Sequence, residues 1–131
     1  MSSTRILIIA HPGANLDSLD AVLPALVDGA ALYHCVDLAR VKATILDSHP
    51  HLVLVDSEIG YQDARAIHEL LATRFPEAGI IILSDAAHWQ RWKTIEGSHH
   101  VLLKGFSTRR LKATLSKALS ASPAVAVQPP T

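Results

Sequence analysis

The feature that most constrains the fold of this chain is a series of short apolar runs separated by amphipathic segments. Residues 5–10, 51–55 and 79–83 are rich in Ile, Leu and Val, and each run is as short as a strand that is buried on both faces. Residues 31–36 and 100–103 form two weaker runs of the same kind. The pattern therefore predicts five strands.

Helical periodicity occupies the gaps between these runs. The predicted helices are 15–27, 37–46, 63–74, a segment around the two tryptophans, and the segment that follows Ser107. Asp37 and Ser107 stand where helix N-caps are expected. Pro24 lies inside the first helical pattern, where we expect it to kink or shorten the helix.

Strands that alternate with helices indicate βαβ units, a parallel sheet and right-handed crossovers. The fold class predicted is α/β, a three-layer doubly wound (βα)5 domain with a five-stranded parallel sheet. We assign this domain to residues 1–119. Residues 120–131 are rich in Ala, Pro and Val, and we expect them to form a flexible tail.

Composition excludes several functional classes for this chain. Its 131 residues suit one domain, and 12 basic residues balance 12 acidic ones, so no net positive field favours direct nucleic-acid binding. The one cysteine, Cys35, permits neither an internal disulfide nor a thiolate zinc cluster, and we expect a buried thiol. Neither a signal peptide nor a membrane span is evident, which predicts a cytoplasmic protein without membrane contact.

Chemically distinctive residues follow the predicted strands. Ala10 and His11 follow the first, Asp56 the third, Ser84 the fourth and Lys104 the fifth. Ligands of open α/β sheets bind at the carboxyl ends of the strands, so these side chains are expected to converge. A carboxylate can act there as a nucleophile or ligand, a hydroxyl as a donor and an ammonium as a counter-charge for an anion.

Three of these segments resemble the receiver domain of two-component response regulators. Residues 50–56 resemble its phosphoacceptor strand, residues 80–84 its fourth strand with a terminal Ser or Thr, and residues 101–106 its fifth strand with a Lys. The resemblance extends from about residue 5 to about residue 119. It implies a flavodoxin-like sheet with the strand order 2-1-3-4-5.

The resemblance also implies a role for each matched residue. Asp56 would accept a phosphoryl group from a partner histidine kinase, Ser84 would hydrogen-bond the phosphoryl oxygens, and Lys104 would pair with their charge. The sequence by itself supplies only the residue types and their places at strand ends.

The chain departs from the receiver pattern at several of these positions. Receivers typically end the first strand with two acids that hold magnesium, whereas this chain has Ala10 and His11. Magnesium prefers oxygen ligands, so we expect weak or absent magnesium binding and no other cofactor. Gly105 replaces the usual proline after the Lys, and Val101 stands where an aromatic switch residue is common. We interpret His11 as a surface histidine, with a transition-metal ligand or a pH-sensitive cation as the alternative.

The fourth and fifth helices carry candidate partner-binding residues. Trp89 and Trp92 are three positions apart and share one helix face. We expect one of the two tryptophans to pack in the core and the other to be available to a partner. Arg109 and Arg110 add positive charge to the last helix, although a solvated helix face is the commoner reason for such charge. The face of the fourth helix, fifth strand and fifth helix is the usual output and dimer surface in receivers, which suggests a homodimer or a protein partner.

Three functional hypotheses remain open at this point. The first is an atypical receiver that acts through protein–protein interaction with a sensor histidine kinase or an output protein, without normal phosphorylation. The second is a phosphorylatable receiver in which His11, together with Glu58 or Asp85, compensates for the missing acids. The third is a flavodoxin-like domain that binds a small ligand or acts as an enzyme. Because no Gly-rich phosphate loop or nucleophile elbow occurs, we predict that the chain is not an enzyme.

Overall fold

The computed structural model of the chain describes residues 3–95, 97 and 99–121. It contains one five-stranded sheet in the order β2-β1-β3-β4-β5, and every neighbouring pair of strands is parallel. The strands are β1 (Thr4–Ile9), β2 (Ala30–Cys35), β3 (Leu52–Asp56), β4 (Gly79–Ser84) and β5 (His99–Leu103). The predicted α/β class and strand order are confirmed.

Helices connect the strands and cover both faces of the sheet. They are α1 (Ala14–Leu26), α2 (Val41–Ser48), α3 (Tyr61–Arg74), α4 (Trp89–Thr94) and α5 (Thr108–Ala121). One apolar cluster packs α1 and α5 against one face of the sheet, and a second packs α2, α3 and α4 against the other. Strands buried on both faces account for the continuous apolar runs in the sequence.

Two helix starts show how local hydrogen bonding sets the boundaries. Ser107 is the N-cap of α5, since its Oγ accepts from Arg110 N at 3.1 Å. Asp37 caps a 3₁₀ turn, Leu38–Arg40, through Ala39 N at 3.1 Å, and α2 begins only after that turn. Asp37 is thus a cap as predicted, but the α-helix predicted to follow it is wrong at residues 38–40, because the capped turn is tighter than an α-helix.

The first helix and the last differ from expectation at their carboxyl ends. Pro24 does not end α1, which continues to Leu26. Pro24 lies in the last turn of α1, where its missing N–H removes one hydrogen bond of the helix. The helix still ends with a regular bond, from Val27 N to Leu23 O at 2.9 Å. Helix α5 reaches Ala121, so residues 120 and 121 of the predicted tail are helical. Residues 122–131 of that tail lie outside the described residues.

Cys35 is buried at the end of β2, as its apolar context predicts, and its thiol donates to Asp37 O at 3.2 Å. Within the described part of the chain, none of the helices is long and apolar enough to cross a membrane.

Candidate functional site

Asp56 is the last residue of β3 and stands at the carboxyl edge of the sheet, beside the ends of β1 and β4. It is 2% exposed, and its Oδ1 accepts from Glu58 N at 2.9 Å, which caps the 3₁₀ turn Ser57–Ile59. A buried carboxylate needs a compensating charge or several donors. The fold supplies that charge from the loop that follows β5.

Lys104 is the side chain that compensates Asp56. Its Nζ lies 2.5 Å from Asp56 Oδ1 and 3.2 Å from Glu58 Oε2. Its backbone N donates to Ser84 O at 2.8 Å, which extends the β4–β5 pairing by one bond and holds the lysine over the strand ends. We call Asp56, Glu58 and Lys104 the Asp56 cluster.

The electrostatics of the Asp56 cluster favour a charged lysine. Burial alone would lower the pKa of Lys104, but the hydrogen bond and attraction of Asp56, with a further contribution from Glu58, raise that pKa above 10.5. The ammonium is thus firmly protonated at neutral pH, and it neutralises the carboxylate from within the domain.

Ser84 and Asp85 lie next to the Asp56 cluster but bond elsewhere. The Ser84 side chain is fully buried, and its Oγ donates to Asp85 O at 2.9 Å. Asp85 Oδ1 accepts from His88 N at 2.9 Å and lies 3.0 Å from His88 Nδ1. These bonds from His88, together with attraction to His88 and Lys104, outweigh partial burial and lower the pKa of Asp85. Asp85 therefore organises the loop before α4.

The two positions at which receivers carry acids are occupied by side chains of very different exposure. Ala10 is buried and offers no polar side-chain atom, and His11 is exposed in the β1–α1 loop. No group of three or more His, Cys, Asp or Glu side chains that could hold a metal ion occurs among the described residues. Asp56 is consequently the carboxylate that β1 and β3 together present at this edge.

The other departures from the receiver pattern also have structural consequences. Gly105 adopts φ +94°, a left-handed conformation that glycine accepts without strain, and no cis peptide bond occurs in the described residues. Val101 is half-buried and packs against the cluster beneath α3 and α4.

A cavity of about 270 Å³ adjoins the Asp56 cluster between α1 and α5. Asp56 and Lys104 form part of its wall, Asn15 and Ser18 line it from α1, and Phe106 lines it from the β5–α5 loop. Its lining thus combines polar side chains with apolar ones, as the lining of a small-ligand site does.

The candidate partner residues separate into buried and exposed groups. Trp92 is 0% exposed, so it belongs to the core and does not contribute to the partner surface for which the sequence proposed it. Trp89 is half-buried, while Arg109 and Arg110 are exposed. A groove of about 260 Å³ lies between α4, β5 and α5, with Trp89, Leu103 and Arg110 in its wall.

Sequence reasoning missed one arrangement entirely. His68 of α3, Trp92 of α4 and His99 of β5 form a connected group, which we call the His68 cluster. Neither histidine stands out in the sequence, since His68 lies within the third predicted helix and His99 lies just before the fifth predicted strand. Their contact depends on how three elements pack, which local periodicity does not encode.

Comparison with solved structures assigns the architecture to a known fold. NtrX from Brucella abortus, in complex with ATP, matches with a TM-score of 0.73 and 22% identity over 94% of this chain and 28% of that one. A two-component transcriptional regulator AraC from Clostridium phytofermentans matches with a TM-score of 0.79 and 18% identity, over 96% of this chain and 100% of that one. The receiver (REC) domain of the PhyR response regulator from Erythrobacter litoralis matches with a TM-score of 0.72 and 19% identity, over 98% of this chain and 96% of that one.

These similarities show that the chain has the receiver-domain fold, as the sequence motifs implied. It spans little more than a quarter of the NtrX chain, whereas it corresponds to nearly the whole of the other two. Neither a protein-family model nor a curated protein sequence matches the chain.

Proposed function

We propose that this chain is an atypical receiver module of two-component signal transduction, which acts by binding another protein and does not use magnesium-dependent phosphorylation. The receiver fold and the presence of Asp56, Ser84 and Lys104 at three strand ends support the general role. The observation that carries the atypical assignment is the end of β1 beside Asp56, where a buried Ala10 and an exposed His11 take the place of the acid pair.

The donor chemistry around Asp56 does not fit magnesium. This ion prefers an octahedral set of oxygen ligands, usually carboxylates and waters. Ala10 contributes no ligand and His11 contributes nitrogen, while Asp56 Oδ1 is already engaged by the lysine ammonium and a backbone N–H. Phosphoryl transfer to a carboxylate needs strong neutralisation of the incoming charge, and one engaged ammonium is a poor replacement for a metal ion.

The surface that would bind a partner is the groove between α4, β5 and α5. Trp89 offers an aromatic contact, and Arg110 and Lys117 line the same groove with positive charge. Aromatic and arginine side chains are the residue types that most often dominate protein interfaces. We propose an acidic protein surface as the occupant, either a sensor histidine kinase or an output protein in the cytoplasm, with a homodimer as the alternative.

A phosphorylatable receiver is the second candidate, and one observation favours it. Both bonds to the Asp56 carboxylate use Oδ1, and no hydrogen bond to Oδ2 occurs among the described residues. That oxygen is therefore available as a nucleophile. A small-ligand domain is the weaker third candidate, because the cavity of about 270 Å³ is below the ~300–1,000 Å³ that is usual for ligand pockets.

Phosphorylation by a small phosphodonor separates the first two candidates. The protein is incubated with acetyl phosphate and magnesium, and its intact mass is measured. We expect no mass gain for the wild type, and a gain of one phosphoryl group for the double variant Ala10→Asp/His11→Asp, which restores the acid pair. Adding Asp56→Asn to that variant should abolish the gain. A phosphoryl adduct on Asp56 of the wild type would contradict the proposal.

A further inference from the structure

The His68 cluster joins three elements on the side of the sheet covered by α3 and α4. His68 is 3% exposed, and its Nε2 lies 3.0 Å from His99 Nδ1. His99 Nε2 in turn lies 3.0 Å from Trp92 O. A single chain of hydrogen bonds therefore runs from α3 through β5 to the backbone of α4.

The acceptor at the end of this chain fixes the hydrogen positions of the neutral state. Trp92 O can only accept, so His99 Nε2 carries a hydrogen and its Nδ1 is the acceptor. His68 Nε2 must then donate to His99, which leaves His68 Nδ1 without a hydrogen. That Nδ1 is a buried atom without a hydrogen-bond partner in the described structure.

The charges around the pair oppose a further proton. Among the described residues, the charged groups on this side of the sheet that act on the pair are Arg65 on α3 and Lys93, which lines the groove over His99 from α4. The titratable His100 follows His99 in β5 but points to the other face, toward Lys117 of α5. Burial, followed by His99 and Arg65, lowers the pKa of His68 to about 4. A groove of about 290 Å³ reaches His99 from the surface, so solvent protons have access to the pair.

Protonation has the same consequence at either ring. A proton that adds directly to His68 occupies Nδ1, for which the described residues offer no acceptor. A proton that adds to His99 Nδ1 reverses the bond between the rings, so His68 Nε2 becomes the acceptor and its hydrogen must reside on Nδ1. Both routes place a buried N–H at the same unpartnered position, and a charged pair is stable only when solvent reaches it.

The element that can give way is α4. It has only six residues, and its end is held by a long bond of 3.4 Å from Ile95 N to Trp92 O, the same carbonyl that accepts from His99. Trp92 packs in the apolar cluster on this side of the sheet, with edge-to-face ring contacts to Tyr61 at 5.4 Å, to His68 at 6.0 Å and to His99 at 6.1 Å between centroids. Its indole Nε1 is buried and has no hydrogen-bond partner among the described residues.

We propose that proton uptake by the His68–His99 pair releases α4 from α3 and β5. This goes beyond the proposed function and does not depend on whether Asp56 is phosphorylated. Because Trp89 of α4 lines the groove with Arg110, the release changes the surface at which a partner would bind. The domain would thus carry an acid-sensitive equilibrium of its own between two forms of that surface.

The test follows the exposure of Trp92 in the Trp89→Phe variant, which leaves Trp92 as the one indole of the chain. Acrylamide quenching and far-ultraviolet circular dichroism are measured from about pH 8 to about pH 4. As the pH falls below 6.5, the opening equilibrium constant should rise by up to about tenfold per pH unit, the limit for uptake of one proton. The circular dichroism should stay constant over the rise in quenching.

Matched variants decide whether the pair is responsible. In the same background, His68→Gln should abolish the rise in quenching, and His99→Gln, which retains side-chain hydrogen bonding, should do the same if the first variant folds poorly. His34→Gln alters an exposed histidine paired with Asp20 and should leave the rise unchanged. An unaltered rise in either cluster variant, or a loss of circular dichroism in the same transition, would overturn the proposal.

Discussion

Asp56 and His68 are equally buried, at 2% and 3% exposure, but the fold compensates them very differently. Asp56 Oδ1 receives an ammonium at 2.5 Å and a backbone N–H at 2.9 Å. His68 has one hydrogen bond, to another histidine, and its second nitrogen has no partner in the described structure. The difference shows that the pairing of a buried polar group, more than its burial, determines whether its charge state can change within the folded domain.

The two clusters are consequently sensitive at opposite ends of the pH scale. The pKa of Lys104 is raised above 10.5, so its stabilisation is complete below that value and is lost as the pH rises through the pKa of the folded state. The pKa of His68 is lowered from 6.5 to about 4, so the folded state is penalised increasingly as the pH falls through that interval. Moderate acid should therefore affect the His68 cluster, whereas Lys104 keeps its charge.

Truncation of the tryptophan in the His68 cluster should have the largest effect on stability. We expect Trp92→Ala to lower the free energy of unfolding by about 3–5 kcal/mol, because it removes a fully buried indole from beneath α4. Trp89→Ala, the matched control on the same helix, should cost less than about 1 kcal/mol. Urea denaturation near neutral pH measures both values. Equal losses would contradict the assignment of Trp92 to the core.

Acidification should produce the next largest effect. A shift of the His68 pKa from 6.5 to about 4 corresponds to a loss of about 3 kcal/mol of unfolding free energy between those pH values, at about 1.4 kcal/mol per unit. Urea midpoints at several pH values measure the loss. His68→Gln should flatten this part of the profile, and an equally steep profile in that variant would assign the acid sensitivity to other groups.

Removal of the Lys104 charge should cost about 2 kcal/mol near neutral pH. Lys104→Met leaves the Asp56 carboxylate buried without its ammonium, which costs about 3–5 kcal/mol where both partners are wholly buried. We expect less here because the lysine side chain is 26% exposed. The double variant Asp56→Asn/Lys104→Met should recover most of the loss, because the charge that needs compensation is gone. Additive losses would mean that the two side chains do not act as a pair.

The smallest effect on stability should come from Glu58, the exposed partner of Lys104. Glu58→Gln is expected to change the unfolding free energy by less than about 0.5 kcal/mol, because the Glu58 side chain is 61% exposed and surface ion pairs contribute little. Urea denaturation measures the change, which is compared with the loss caused by Lys104→Met. A loss comparable to that of Lys104→Met would show that Glu58, and not Asp56, is the main partner of the lysine.

The sequence predicted those features that depend on short-range patterns. Apolar runs located all five strands, the helix pattern after Ser107 located the cap of α5, and the strand-end positions of Asp56 and Lys104 implied their contact. The direction in which a side chain points could not be predicted from these patterns. Ser84 is an example, because its Oγ donates to the backbone carbonyl of Asp85. The His68 cluster also escaped prediction, because its members are distant in the chain and meet only when α3, α4 and β5 pack.

One measurement tests the contrast between the two clusters most directly. Amide chemical shifts of the ¹⁵N-labelled protein are recorded after addition of beryllofluoride with magnesium near neutral pH, and separately after acidification to about pH 5. We expect no shifts at Asp56, Ser84 and Lys104 in the first experiment. In the second we expect shifts in α4 and the facing parts of α3 and β5 that are absent from the His68→Gln variant. Saturable beryllofluoride shifts around Asp56 that disappear in Asp56→Asn, together with an unchanged spectrum of α4 in acid, would contradict this contrast.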